Sequence, residues 1–167
     1  MSASFGLSSW GEGRAVTSRV EVLALAAEAR GAALARGFGL KLAGELALCI
    51  AELGMNALRH GGGRGVVALT FRASGWSLEV SDAGPGFSPA VLADEGRSDR
   101  LGAAGVRAPG EGQSFGSGLA AVRRLASRLE LTNPASGGAR VVAHRELPMT
   151  PPFPPHRREE EHEQRHQ

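Results

Sequence analysis

The residues of this chain best suited to binding or chemistry form a polar row inside an otherwise apolar segment, AELGMNALRHGGG, at residues 51–63. At about 100° per residue, Glu52, Asn56 and Arg59 fall in one narrow stripe of a helix. Asn is a poor residue for a helix interior because its side chain competes for backbone hydrogen bonds, so Asn56 is more informative than Glu52. Taken alone, the stripe fits a ligand site and a solvated helix face about equally well.

Two glycine-containing segments downstream favour the ligand site. Asp82 follows a predicted strand and opens the sequence Asp-Ala-Gly-Pro-Gly-Phe. Further on, Gly-Ser-Gly-Leu at residues 116–119 opens a predicted helix. The chain has 24 glycines, so any single Gly-x-Gly is weak support. The order of the three segments and their structural contexts carry more weight together.

Hydrophobic periodicity predicts the elements that position these residues. Ser18 is a suitable N-cap for the first helix, and the second helix carries the polar stripe. The order of elements favours an α/β two-layer sandwich, in which three helices back a mixed, mostly antiparallel sheet. Helices are predicted over about residues 19–36, 40–60 and 116–128, and strands over about residues 14–17, 65–72, 76–81, 128–132 and 139–146.

Composition limits the class of protein. The 167 residues support one domain, which we place at residues 14–147, after a flexible N-terminus and before a disordered, proline-rich and charged tail at residues 148–167. The net charge is +2 and the basic residues are scattered, which argues against a nucleic-acid partner. The single Cys49 excludes an internal disulfide. Without a signal peptide or a long apolar run, we expect a cytoplasmic location and no membrane partner.

Three motifs resemble those of the GHKL or Bergerat-fold ATPases, the superfamily that includes histidine kinases and DNA gyrase. ELGMNALRH resembles the N box, DAGPGF the G1 box and FGSGLAAV the G2 box. Within that superfamily, the compact length and the segment EVLALAAEARGAALARGFG resemble the RsbT and RsbW type of bacterial switch-protein serine/threonine kinases and anti-sigma factors. The resemblance spans about residues 14–147 and implies the Bergerat fold, with ATP and Mg²⁺ as ligands.

The resemblance also implies roles in the polar stripe. Asn56 matches the position that holds Mg²⁺, and a neutral oxygen suits a hard ion that phosphates otherwise hold. Glu52 matches the position that orients or deprotonates the attacking hydroxyl, which is a weak nucleophile at neutral pH. Arg59 matches a basic position that reaches phosphate oxygens, although a surface Arg explains it nearly as well. For His60, packing at the helix end is the main interpretation and phosphate contact the minor one.

The same resemblance assigns nucleotide contacts to the glycine segments. Asp82 matches the residue that accepts a hydrogen bond from the adenine amino group, and its alternative is an Asp that starts a turn. Glycines after it would let the backbone approach the base, and those at the next helix would let its N-terminus bind phosphates. The positions implied to contact ATP in this way are Gly84, Gly86, Gly116, Gly118 and Leu119.

Two features depart from the pattern. The family often has a Thr after the final glycine turn, which supports the adenine-binding Asp through water, but this chain has Ala139 there. Either Ser136 substitutes for that hydroxyl or nucleotide affinity is weaker. The segment at about residues 88–115, which has no sustained periodicity, would be the ATP lid. It is longer than in compact serine kinases of this kind.

The resemblance implies an ATP-dependent serine/threonine protein kinase that phosphorylates a STAS-domain antagonist in a partner-switching cascade. The alternative is an anti-sigma factor or phosphatase-activating module, gated by ATP, with a sigma factor or a PP2C-type phosphatase as partner. A further alternative is the catalytic domain of a histidine kinase acting in trans. The resemblance also leaves room for a homodimer.

Overall fold

Nine elements build the described part of the chain in the computed structural model, which covers residues 12–95 and 117–147. The predictions for residues 1–11, most of the lid, Gly116 and the tail from residue 148 lie outside these ranges. In chain order the elements are β1 (Arg14–Val16), α1 (Arg19–Ala35), α2 (Leu40–His60), β2 (Gly65–Arg72), β3 (Gly75–Asp82), α3 (Pro89–Glu95), α4 (Ser117–Leu125), β4 (Arg128–Thr132) and β5 (Arg140–Glu146).

The strands form one five-stranded open sheet in the order β1-β2-β3-β5-β4. Every neighbouring pair among these strands is antiparallel, so the α/β class is confirmed, whereas the mixed sheet is corrected to an antiparallel one. Each of β2, β3 and β5 directs alternate residues toward α1, α2 and α4, because successive side chains of a strand point to opposite faces. The core side chains of the sheet include Val67, Leu69, Leu78, Val80, Val141 and Ala143.

Local sequence signals explain the first two helices. Ser18 caps α1 with a capping box: its hydroxyl accepts the N–H of Glu21, and the Glu21 carboxylate accepts the N–H of Ser18. The bounds of α2, Leu40–His60, are those that the sequence predicts. α2 packs against α1 closely at Gly54, where an added Cβ would lie 2.8 Å from a methyl carbon of Val22.

The third predicted helix ends earlier than expected. α4 stops at Leu125 rather than near Arg128. The N–H of Ala126 still reaches the carbonyl of Val122, but the N–H of Ser127 donates to the carbonyl of His144 at 2.7 Å. Pairing with β5 therefore replaces the helical hydrogen bonds at Ser127, and β4 begins at Arg128.

A fourth helix, α3, lies where the sequence predicts an irregular lid. Ser88 precedes it and accepts the N–H of Val91, while Pro89 takes the first helical position. Ser before Pro is a typical start of a helix, because Pro needs no N–H partner there. The three-helix count is therefore wrong for the described residues, and the remainder of the lid stays a prediction.

A charged pair connects α2 to β5 near the start of β3, at the opposite end of the sheet from Asp82. Arg145 Nη2 lies 3.2 Å from Glu45 Oε2, and the Glu45 side chain is 11% exposed. No hydrogen bond of acceptable geometry reaches that oxygen among the described residues, so the interaction is a charge contact rather than a directed hydrogen bond. Cys49, one turn further along α2, is fully buried.

None of the helices in the described ranges is both long enough and apolar enough to cross a bilayer.

Candidate functional site

The end of α2 meets the end of β3 through glycines. At Gly61, the C-cap of α2, an added Cβ would overlap the Cβ of Asp82. At Gly84 it would overlap the carbonyl oxygen of His60 and lie 2.8 Å from the Cα of Gly61. These contacts leave no room for side chains, so the segment with the polar stripe and the loop after β3 form one site.

Asp82 uses one carboxylate oxygen to organise the loop that follows it. Its Oδ1 accepts the N–H of Gly84 at 2.9 Å and the N–H of Ala139 at 3.3 Å. The first of these bonds is an Asx turn, so Asp82 does start a turn, and its contact with adenine stays a prediction. No described residue donates to Oδ2, and Asp82 is half-buried. One oxygen of Asp82 thus remains available to accept a hydrogen bond from a ligand.

The main chain of Ala139 supports Asp82 in place of the hydroxyl that the family pattern suggests. Its N–H donates to Asp82 Oδ1, and its carbonyl accepts the N–H of Asp82 at 3.0 Å. Gly138 makes the approach possible, because it has a φ of 85° and an added Cβ would overlap the carbonyl of Asp82. Ser136 is exposed and makes no direct hydrogen bond with Asp82 in the described structure, so its support of Asp82 through water stays a prediction.

The turn between β4 and β5 also holds the other end of the loop. Asn133 Oδ1 accepts the N–H of Phe87 at 2.8 Å, and Asn133 Nδ2 donates to the carbonyl of Phe87 at 2.9 Å. Gly86 has a φ of 79°, and an added Cβ would lie 2.8 Å from Asn133 Oδ1. Sequence reasoning missed Asn133. The signal that could have found it is an Asn that leaves a strand directly before Pro134.

Glu52 lies at the start of α4. An added Cβ at Gly118, the second residue of α4, would overlap Oε2 of Glu52. The Glu52 side chain is half-buried, and the first turn of α4 has backbone N–H groups that lack helical partners. The contact joins the predicted base to the predicted phosphate-binding helix, whose first glycine, Gly116, lies outside the described residues. Leu119 is 6% exposed and packs in the hydrophobic core, and its predicted contact with ATP stays a prediction.

The remaining residues of the stripe differ in position. Asn56 is half-buried one turn after Glu52, whereas Arg59 and His60 are exposed in the last turn of α2. Basic residues there interact favourably with the negative end of the helix dipole. His60 contacts the loop through its carbonyl oxygen, which lies beside Gly84. This contact fits the interpretation of His60 as a packing residue at the helix end.

The donor set fits a magnesium ion that is bound together with phosphates. In the described ranges, no three His, Cys, Asp or Glu side chains are grouped closely enough to hold a metal. Asn56 offers one neutral oxygen, beside the Glu52 carboxylate one turn away. Mg²⁺ keeps several waters and is usually held by one or two protein oxygens plus substrate phosphates, so Asn56 is sufficient only with a phosphorylated ligand.

The site therefore has two ends joined by α2. Asp82, Gly84 and Ala139 lie at the C-terminal end of α2, and Glu52 meets α4 nine residues before Gly61. At 1.5 Å per residue, the two ends are about 14 Å apart along the helix. Such a site suits an elongated ligand, with a hydrogen-bond donor at one end and negative charge at the other.

One family of known proteins matches most of the chain. Residues 16–144 match the family of histidine kinase-like ATPase domains, a range that contains every described site residue. Among solved structures, the chain is similar to the histidine kinase domain of the E. coli osmosensor EnvZ, determined by NMR, with 24% identity and a TM-score of 0.42. That match covers 64% of this chain and 66% of the EnvZ domain, and its TM-score is too low to support an argument. No curated protein is similar enough to count as a relative.

Proposed function

Because this chain belongs to the family of histidine kinase-like ATPase domains, within the GHKL superfamily, we propose that it is an ATP-dependent serine/threonine protein kinase. Its substrate in this proposal is a STAS-domain protein of a partner-switching cascade. The observation that carries the proposal is the position of the Glu52 carboxylate, at the first turn of α4 and one turn before Asn56. A carboxylate between a phosphate-binding helix and a metal-binding amide can act on the acceptor hydroxyl.

At the adenine end, Asp82 recognises the base. Its Oδ2 accepts the exocyclic amino group, while its Oδ1 keeps the bonds from Gly84 and Ala139. Guanine has a carbonyl in the corresponding position, so it would face the carboxylate with an acceptor instead of a donor. Leaving such a polar group unpaired is costly, and the site therefore selects adenine over guanine.

At the phosphate end, α4 and α2 cooperate. The free N–H groups at the start of α4 bind phosphate oxygens, and Gly118 lets a phosphate approach the helix closely. Asn56 and the phosphates would hold Mg²⁺, which when bound supplies charge neutralisation during transfer.

Glu52 then serves the transfer step. The acceptor hydroxyl oxygen forms a bond to the γ-phosphorus as the bond from that phosphorus to the β,γ-bridging oxygen breaks, ADP leaves, and the hydroxyl proton passes to the Glu52 carboxylate. A hydroxyl needs such a proton acceptor because it is a weak nucleophile at neutral pH. An imidazole acceptor needs it less, which favours Ser or Thr over His.

The proposal is tested with γ-labelled Mg-ATP, the purified chain and a STAS-domain protein. Wild type should label the STAS protein, and E52Q should lose about 100-fold or more of the rate while still binding ATP, since Gln has the size of Glu. The matched control is E28Q, which changes an exposed carboxylate on α1. Undiminished transfer by E52Q would overturn the role of Glu52.

Two other results would overturn the kinase proposal as a whole. If wild type binds ATP but labels no STAS protein, the ATP-gated binding module becomes the better interpretation. If the label is transferred but is lost in acid, as a phosphoramidate is, the acceptor is a His rather than a Ser or Thr.

A further inference from the structure

Asn133 lies just after the last residue of β4 and contacts the loop that follows β3, 46 residues earlier in the chain. Its side-chain amide pairs with both main-chain groups of Phe87, at 2.8 Å and 2.9 Å. In this arrangement, the side chain acts as a neighbouring strand would, with one donor and one acceptor directed at a single residue. Asp offers no donor when it is ionised, and Ala offers neither group.

The same side chain fits against Gly86. With a φ of 79°, Gly86 is in a backbone conformation that other residues rarely adopt, and an added Cβ would lie 2.8 Å from Oδ1 and 2.9 Å from Cγ of Asn133. The amide of Asn133 therefore occupies the space that the missing side chain of Gly86 leaves. The two residues are matched in both shape and hydrogen bonding.

The loop from Asp82 to Phe87 is thus fastened at both ends by one turn. Ala139 holds Asp82 at one end, and Asn133 holds Phe87 at the other. Between these two anchors lie Gly84 and Gly86, the glycines expected to approach the base. Without the second anchor, the loop would have more conformations to lose when a ligand binds, which lowers affinity.

We propose that Asn133 is a positioning residue for the adenine end of the site, and that it sets nucleotide affinity by holding the Gly84–Gly86 loop in its binding conformation. This inference rests on the proposed function, because it requires that Asp82 binds adenine. Asn133 acts on the nucleotide through Phe87 and the loop. Its effect should therefore be the same for every adenine nucleotide, whatever its number of phosphates.

Isothermal titration of ATP, ADP and AMP into N133A and N133D tests this role. Each variant should raise the three dissociation constants by a similar factor of roughly ten, the effect of losing one or two hydrogen bonds. T132A is the matched control, because Thr132 is the exposed neighbour of Asn133 and its side chain makes no hydrogen bond to the loop in the described structure. In the transfer assay, KM for ATP should rise while kcat stays close to that of wild type.

The outcomes separate the inference from the proposed function. Wild type that binds no adenine nucleotide overturns both. If wild type and T132A bind and both Asn133 variants bind equally well, the inference alone is wrong. A loss confined to ATP would also contradict it, because that pattern belongs to a phosphate contact. Melting of the nucleotide-free variants shows whether they are folded at the titration temperature, and because Asn133 is exposed, we expect midpoints close to that of wild type.

Discussion

At Gly118, the space that a side chain would fill is taken by the Glu52 carboxylate, and the same relation recurs elsewhere in the site. The amide of Asn133 occupies the corresponding space beside Gly86, and the main chain of Asp82 occupies that beside Gly138. In each case a polar atom of the site lies where a Cβ would be. Substitution of these glycines by Ala should therefore affect function by displacing the neighbouring polar atom, rather than through general packing.

G118A tests this relation at the residue that matters most for transfer. The added methyl group would displace the Glu52 carboxylate from the start of α4, because the tip of that side chain is the nearest atom. We expect the transfer rate to fall at least about tenfold, since a misplaced base loses most of its contribution. A rate assay under saturating Mg-ATP measures the effect.

The control for G118A is G31A on α1, where an added Cβ meets no atom within 4 Å. That variant should transfer phosphate as wild type does, and it should be slightly more stable because Ala favours helix over Gly. Equal rates for G118A and G31A would show that Glu52 does not need its place beside Gly118.

The motif residues could be predicted from the sequence, but their supporting contacts could not. Glu52, Asn56 and Asp82 belong to local patterns that can be read without coordinates. Asn133 binds Phe87 across 46 residues, and Ala139 acts through backbone groups that every residue except Pro has. A main-chain contact does not require a particular residue type, so it can be identified only from the fold.

At the scale of elements, α2 is placed by its close approach to α1. Gly54 is buried against Val22, and an added Cβ would lie 2.8 Å and 3.1 Å from its two methyl carbons. Val22 is itself fully buried, so it has little room to move. The separation of the two helices therefore depends on the absence of a side chain at Gly54.

G54A should lower the free energy of unfolding by about 1–3 kcal/mol, although Ala favours a helix, because overpacking outweighs propensity here. The double variant V22A/G54A should lose less stability than the sum of the two single variants, since removing the Val22 methyl groups makes room for the new one. Urea unfolding of the four proteins measures the coupling. Additive effects would mean that the two residues do not compete for space.

The Cys49 thiol on α2 makes the free energy of unfolding depend on pH in the alkaline range. Burial, reinforced by the nearby Glu45 carboxylate, raises the pKa of its thiol from about 9 to about 12. Between these values the unfolded chain releases a proton that the folded chain keeps, so the contribution of the thiol to stability is complete below about pH 9 and falls as pH rises.

The measurement compares wild type with C49A in urea from about pH 8 to about pH 11. The difference in unfolding free energy between the two proteins should shrink as pH rises, because only wild type has the thiol. Other groups titrate equally in both proteins and cancel. A constant difference across that range would show that the thiol ionises as easily in the folded protein as in the unfolded chain.

Element boundaries that depend on neighbouring residues could be predicted from the sequence, and those that depend on distant residues could not. The start of α1 and both ends of α2 were predictable, because Ser18 and the flanking glycines are adjacent in sequence. The end of α4 was not, because it is set by the bond from Ser127 to His144 of β5. The helix at Pro89–Glu95 has a local signal in Ser88 and Pro89, but its seven residues are too few to give residues 88–115 a sustained periodicity.

At the scale of the molecule, the fold brings together segments that are far apart in sequence. α2 runs between the two ends of the site, with β3 and the β4–β5 turn at one end and α4 at the other. The antiparallel order β1-β2-β3-β5-β4 places β5 beside β3, and this neighbour relation puts Ala139 against Asp82. We expect this arrangement to bind ATP, with Asp82 at the base.

Isothermal titration of Mg-ATP into wild type and D82N measures this binding. Asn keeps an oxygen for the N–H groups of Gly84 and Ala139, so the loop is retained, and it replaces the free oxygen with an NH₂ group that meets the adenine amino group donor to donor. Wild type should bind Mg-ATP, and D82N should bind at least about tenfold more weakly with a similar melting temperature. Equal affinity of the two proteins would mean that Asp82 does not bind adenine. No binding by wild type would mean that the site does not bind ATP.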